Sequence, residues 1–179
     1  MSHQVPPVSP FVLSDGRRIS IRPVAPEDQP LIAEAIRTAS RETLLHRFFT
    51  PLRSVAPEDL RRMLTLDPAQ EFCIVGEYVE DSVRRIICGA RYVRLREPTR
   101  AEIAITVHDD FQGQGTGHQL LKLLVERGRA DGIRTFIADV LAENTAMLHL
   151  LQKTAPHRHS TFSGSVCHVE FDLADAKPA

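Results

Sequence analysis

Charge of one sign, long apolar runs and cysteine are what this 179-residue sequence has least of. Its 22 Lys and Arg stand against 23 Asp and Glu, for a formal net charge of -1. A chain without a basic excess carries no global field for a nucleic-acid backbone. No stretch approaches the roughly 20 apolar residues that a membrane-spanning helix needs. The opening MSHQVPPVSP lacks the charged-then-apolar order of a secretory signal and reads as a Pro-rich lead-in. The three cysteines, Cys73, Cys88 and Cys167, each lie in an apolar, strand-like run without metal-ligand spacing. They are expected to be buried free thiols in a reducing cytosol, which makes the protein cytoplasmic. Internal repeats and long linkers are also missing. The length and a 42% hydrophobic composition suit one core. The expected organisation is a flexible lead-in over 1–13, one domain over 14–174 and a tail over 175–179.

Residues 17–24 alternate as a strand does after the turn Ser14-Asp15-Gly16. Pro and early acids then open a helix whose apolar face is Leu31, Ile32, Ala35 and Ile36. Ser40 caps a second helix with Leu44, Leu45 and Phe48 inward, and Phe49 is also expected in the core. Residues 56–64 read as a third helix. The period then changes. Residues 71–79, 83–95 and 101–107 are β-rich and joined by short polar turns, which predicts an antiparallel meander. A helix marked by Leu120, Leu121, Leu124 and Val125 stops at Gly132. A strand over 133–140, a short helix over 142–153 and a last strand over 165–173 complete the chain. The strand-helix-strand run from 101 to 140 predicts one parallel pair in an otherwise antiparallel sheet.

Between the third meander strand and its helix lies DDFQGQGTGHQLL, residues 109–121, with glycines at 113, 115 and 117. A plain strand-to-helix turn accounts for one or two of them. A phosphate loop of the Gly-Lys-Ser/Thr kind does not fit, because His118 and Gln119 follow Gly117. A dinucleotide loop needs GxGxxG, and the spacing here is GxGxG, although Asp139 lies where a ribose-binding acid is expected. A pyrophosphate cradle, with backbone N–H groups gathered at a helix N-terminus, fits the alternate glycines and the immediate helix.

Gln112-Gly113-Gln114-Gly115-Thr116-Gly117, set between strand and helix and followed by a strand and Asn144, resembles the Gcn5-related N-acetyltransferase (GNAT) superfamily over roughly residues 16–173. Residues 15–36, 41–52 and 101–107 look more narrowly like the acetyltransferase domain of bacterial protein lysine acetyltransferases that modify acyl-CoA synthetases. The resemblance implies an α/β GNAT fold. This is a mixed, mostly antiparallel central sheet with a splayed parallel strand pair and helices on both faces. It implies acetyl-CoA as acyl donor, with no metal. The backbone of Ile105, Thr106 and Val107 would pair with the pantetheine arm. Backbone N–H groups of Gln112, Gly113, Gln114, Gly115, Thr116, Gly117 and His118 would hold the pyrophosphate, and Asn144 the arm; the plain reading of Asn144 is a helix cap, and both roles can hold at once. Neither nucleic acid nor a membrane is an expected partner. A homodimer through the sheet edge is.

Acetyl transfer needs a neutral amine, so a proton acceptor must stand near the splayed strands. The strand over 101–107 puts Glu102, Ala104 and Thr106 on one face and Ile103, Ile105 and Val107 on the other. The resemblance makes Glu102 the general base, with partial burial helping it accept a proton near neutral pH. The competing reading pairs Glu102 with Arg100 or Arg91 on a solvated face. The N–H of Val107 is the expected donor to the developing oxyanion. Leu151 occupies the place where many relatives carry a proton-donating tyrosine, and His149 lies on another helical face. The general acid is therefore unassigned. His118 stands where arginine is frequent. His157 and His159 read as a polar surface loop rather than a metal pair. Arg91, Arg94, Arg96 and Arg100 read as solvated strand-edge charges. The leading function is N-acetylation of a protein lysine, such as one on an acyl-CoA synthetase. The alternatives are a small-molecule amine acetyltransferase and a non-catalytic acyl-CoA-binding module.

Overall fold

A computed structural model describes residues 9–50 and 54–176. Eight strands form one sheet: β1 (Ser9–Val12), β2 (Arg18–Pro23), β3 (Glu71–Glu80), β4 (Val83–Arg94), β5 (Arg100–Val107), β6 (Thr135–Leu141), β7 (His159–Ser163) and β8 (Val166–Asp172). Their order is β1-β2-β3-β4-β5-β6-β8-β7. Every neighbouring pair is antiparallel except β5 with β6, as expected from the chain order. Asp81 and Ser82, at φ 48° and 65°, make the two-residue turn that closes the long β3–β4 hairpin.

Five helices complete the domain: α1 (Gln29–Thr38), α2 (Arg41–Phe48), α3 (Pro57–Leu64), α4 (Thr116–Ala130) and α5 (Thr145–Thr154). α4 packs on one sheet face. Leu120, Leu121 and Leu124 are fully buried there with Ile74, Tyr92 and Ile103. Burying each such leucine contributes roughly 2 kcal/mol. Gly128 lets α4 approach the sheet closely, since a Cβ there would lie 2.7 Å from the Phe136 ring. Aromatic rings continue this core: Phe72, Tyr92, Phe136 and Phe171 follow one another at centroid spacings of 5.8, 5.9 and 6.0 Å. Helices α1–α3 cover the opposite face. The expected stripe Leu31, Ile32, Ala35 and Ile36 is only half-buried, because part of it roofs a cavity instead of a filled core.

Four expectations change. The expected lead-in runs to residue 13, yet Ser9–Val12 pair with β2 and Leu13 is buried; residues 1–8 lie outside the described residues. The expected tail begins at 175, yet Ala176 is buried and its carbonyl accepts from Arg129; residues 177–179 lie outside the described residues. His159 belongs to strand β7, which is polar because it forms the exposed sheet edge. Ser40 does cap α2, accepting from Thr43 N–H at 3.1 Å, but Phe49 is exposed at φ 57° just beyond that helix.

Candidate active site

The parallel seam between β5 and β6 is three residues long: Arg100↔Thr135, Ala101↔Phe136 and Glu102↔Ile137. Beyond Glu102 the strands part, and β5 keeps only its β4 partner as far as Val107. Ladder alternation decides which backbone groups face the gap. His108 N–H donates to Ile87 O, and Arg100 O accepts from Leu95 N–H, both on the β4 side. The register does not shift between them, so residues 102, 104 and 106 also face β4, and 103, 105 and 107 face β6. Ile105 and Val107 therefore turn their N–H and C=O groups into the gap. Thr106, grouped with them on the sequence, points its backbone at β4.

After β5 the chain makes a short 3-10 turn over Asp109–Phe111 and enters α4 through the glycines. Gly113 and Gly115 sit at φ 71° and 84°, a left-handed conformation that costs other residues about 1–2 kcal/mol. Gly115 caps α4 without a side-chain hydrogen bond, so the first N–H groups of the helix meet no side-chain acceptor. Those donors and the helix dipole suit an anion. Nothing lies within 4 Å of a Cβ built at Gly113, which leaves the backbone bare there. Gly117 has another reason: a Cβ there would lie 3.3 Å from Leu150 of α5. Gln112 and His118 are exposed and Gln114 half-buried; Thr116 is 1% exposed, with its hydroxyl turned to Phe111 O, so only its backbone is available to a ligand.

A polar cluster ties this loop to α2. The Asp109 carboxylate accepts from Ser40 N–H at 2.8 Å, Ser40 Oγ at 2.6 Å and Thr43 Oγ1 at 2.9 Å. Gln112 Nε2 donates to Thr43 Oγ1 at 3.1 Å and to Val107 O at 3.0 Å. Burial opposes the Asp109 charge, but the hydrogen bonds from Ser40 and Thr43 outweigh it and hold the carboxyl below its usual range.

The sheet face under α1–α3 presents three cross-strand rows: Glu71–Val93–Glu102, Cys73–Arg91–Ala104 and Val75–Gly89–Thr106. The last two floor a mostly apolar cavity of about 140 Å³ roofed by residues such as Ile32, Leu44 and Phe48. His108 closes one end, 8% exposed, with Nε2 3.1 Å from Thr38 Oγ1. Glu102 stands in the row beside the cavity, where β5 and β6 separate. It is exposed rather than partly buried, and it makes no hydrogen bond or ion pair with any described residue. Its suggested partners are engaged elsewhere, Arg91 with Glu71 at 2.8 Å and Arg100 with Glu170 at 2.7 Å. Arg94 bonds the carbonyls of Pro98 and Asp131. Arg91 and Arg100 thus join central strands, and Arg94 ties β4 to the end of α4, rather than guarding an edge. Arg47 of α2, unremarked on the sequence, lines the cavity, with Cζ 5.1 Å from the Phe48 ring centroid.

Asn144 caps α5, its Oδ1 accepting from Met147 N–H at 3.1 Å, and its side-chain NH₂ bonds no described residue. Both of its expected roles are therefore sterically compatible. Leu151 is fully buried and His149 exposed, so neither stands in as a proton donor. Asp139 pairs across strands with His168 at 2.6 Å, which accounts for it without a ribose. No cluster of three metal-ligating side chains occurs among the described residues.

Residues 38–155 match the profile of the Acetyltransferase (GNAT) family. Acetyltransferase PA5475 of Pseudomonas aeruginosa is 31% identical over 138 residues, 77% of this chain and 74% of that protein. Acetyltransferase Pat of Mycolicibacterium smegmatis is 32% identical over 80% of this chain, which spans only 43% of the longer relative. The crystal structure of the GNAT domain of S. lividans PAT superposes with a TM-score of 0.81 at 26% identity, covering 92% of this chain and 96% of that domain.

Proposed function

The chain belongs to the GNAT family of acetyltransferases, which use acetyl-CoA, and from that premise we propose that it acetylates the side-chain amine of a protein lysine. The resemblance of residues 15–36, 41–52 and 101–107 to the acetyltransferase domain of protein lysine acetyltransferases supports a protein acceptor. In this reading the pantetheine arm takes the place of the missing β6 rungs against Ile105 and Val107. The pyrophosphate rests on the bare backbone from Gln112 to His118, and Asn144 donates to the arm through its free NH₂.

A lysine with pKa near 10.4 must lose its proton first, which costs roughly 4–5 kcal/mol at pH 7. Glu102 takes that proton, directly or through water. The neutral nitrogen then attacks the thioester carbonyl. Val107 N–H donates to the oxyanion, the attacking nitrogen gives its second proton to solvent, the C–S bond breaks, and the thiolate leaves to take a proton from solvent. A thiolate is a good enough leaving group to depart without a protein acid, in keeping with the buried Leu151.

The observation that carries the reading is the position of Glu102: an acid in no hydrogen bond or ion pair with any described residue, at the point where the strands part. Glu102→Gln should leave acetyl-CoA affinity unchanged in calorimetry and lower kcat about 100-fold or more. Unaltered turnover in that variant would remove Glu102 from the mechanism. Binding of acetyl-CoA without thiol release across lysine peptides and small amines would instead favour an acyl-CoA-binding module.

A further inference from the structure

Two guanidinium groups line the cavity, and only one of them is in contact with a carboxylate. Arg47 reaches the cavity from α2, and neither a hydrogen bond nor an ion pair joins Arg47 to any described residue. Burial, and then the nearby Arg91, pull its guanidinium below the usual arginine range, while Cys73 and Glu102 act the other way. Arg91 stands between Cys73 and Ala104 in the central row. One of its terminal nitrogens bonds Glu71, but its Nε is buried without a partner. Two guanidinium groups thus share an apolar slot and retain unused donors. Arg47 is half-buried with no carboxylate in contact, and Arg91 has Glu71 on one side only, so such a slot favours an anion from outside. Planar N–H donors in a fork match a carboxylate.

The opposite charge lies close by. Glu102 belongs to the adjacent row of the same face, and successive rows are roughly 7 Å apart. The groove therefore has a positive and a negative pole one row apart. Gly89, in the row on the far side of Arg91 from Glu102, carries no side chain and leaves the floor low beside Thr106. We propose that Arg47, with Arg91 beside it, is a specificity-determining residue that binds a carboxylate on the acceptor while Glu102 faces its amine. The proposal rests on the transferase reading of this groove. The carboxylate has two available sources: an acidic residue near the target lysine, or the carboxyl group of a free amino acid.

The test is an acceptor series with acetyl-CoA, read by thiol release, in which each member has a carboxamide twin. One arm uses lysine peptides with flanking Glu or Gln, and the other uses amino acids and their amides. In at least one arm the carboxylate member should show kcat/KM higher by about tenfold, chiefly through KM. That arm identifies the source. Arg47→Gln should bring the ratio close to one without changing acetyl-CoA affinity, and Arg47→Lys, which keeps charge but loses the fork, should retain part of it. Equal use of twins by the wild type in both arms, or a preference that survives Arg47→Gln, overturns the proposal. Should no amine release thiol, the transferase reading fails by itself, and the slot is judged by NMR. Arginine Nε–H resonances should then shift saturably with N-acetylglycine and not with its carboxamide twin, N-acetylglycinamide. Unmoved resonances overturn the slot as well.

Discussion

Asp28 shows how much one carboxylate contributes to holding α1 on the sheet. It is 3% exposed, takes two 2.7 Å bonds from Arg22, and accepts from Ala25 N–H at 2.9 Å. Arg22 also bonds Glu77 at 2.8 Å. The Arg22 pairing holds the Asp28 carboxyl below its usual range. Its stabilisation is therefore complete above the unfolded carboxyl value near 4 and is lost as pH falls through the lower folded value. Asp28→Ala should cost about 3 kcal/mol in urea unfolding at pH 7, with a smaller penalty at pH 3. The thiols make a second case. Burial pushes Cys73 up to about 11 and Cys88 up to about 12. Iodoacetamide at pH 8 should alkylate Cys73 roughly 100-fold and Cys88 roughly 1,000-fold more slowly in the folded protein than in denaturant, read by mass spectrometry. Residues of this kind differ in how legible they are. Glu102 stands out because it interrupts an apolar strand. Arg47 does not, because an arginine in the polar helix Arg41–Phe48 looks solvated until the fold shows that it lines the cavity.

The glycines of the loop before α4 separate at the scale of the element. Gly115 needs its left-handed φ, so Gly115→Ala should lower stability by about 1–2 kcal/mol and weaken acetyl-CoA binding at the same time. Gly117 is an ordinary helical position against the end of a flexible side chain. Gly117→Ala should cost well under 1 kcal/mol, because Leu150 can yield by a few tenths of an ångström. Thermal unfolding and coenzyme titration on the two variants check both statements. Most elements were legible from periodicity: the meander, the α4 stripe and the parallel crossover all follow from alternation and from chain order. β1 and β7 were not. The first lies in a Pro-rich stretch, and the second is exposed throughout, so neither shows the buried face that alternation reveals. The split of roles within Ile105, Thr106 and Val107 was equally hidden. Side-chain pattern says nothing of which way a carbonyl points until ladder register is known.

At the scale of the molecule, the two sheet faces do different work. The α4 face is filled by leucines and aromatic rings, while the α1–α3 face encloses the groove where the proposed donor and acceptor sides meet. The Asp109 cluster fastens those sides together. The sheet itself is two ribbons, β1 to β5 and β6 to β7, joined along three residue pairs. Under load, that arrangement is a partly open zipper. Pulled apart in an optical trap by handles on the two ribbons, the protein should tear along this seam first. Saturating acetyl-CoA should raise the rupture force, because a molecule lying across the opening behaves as a rivet.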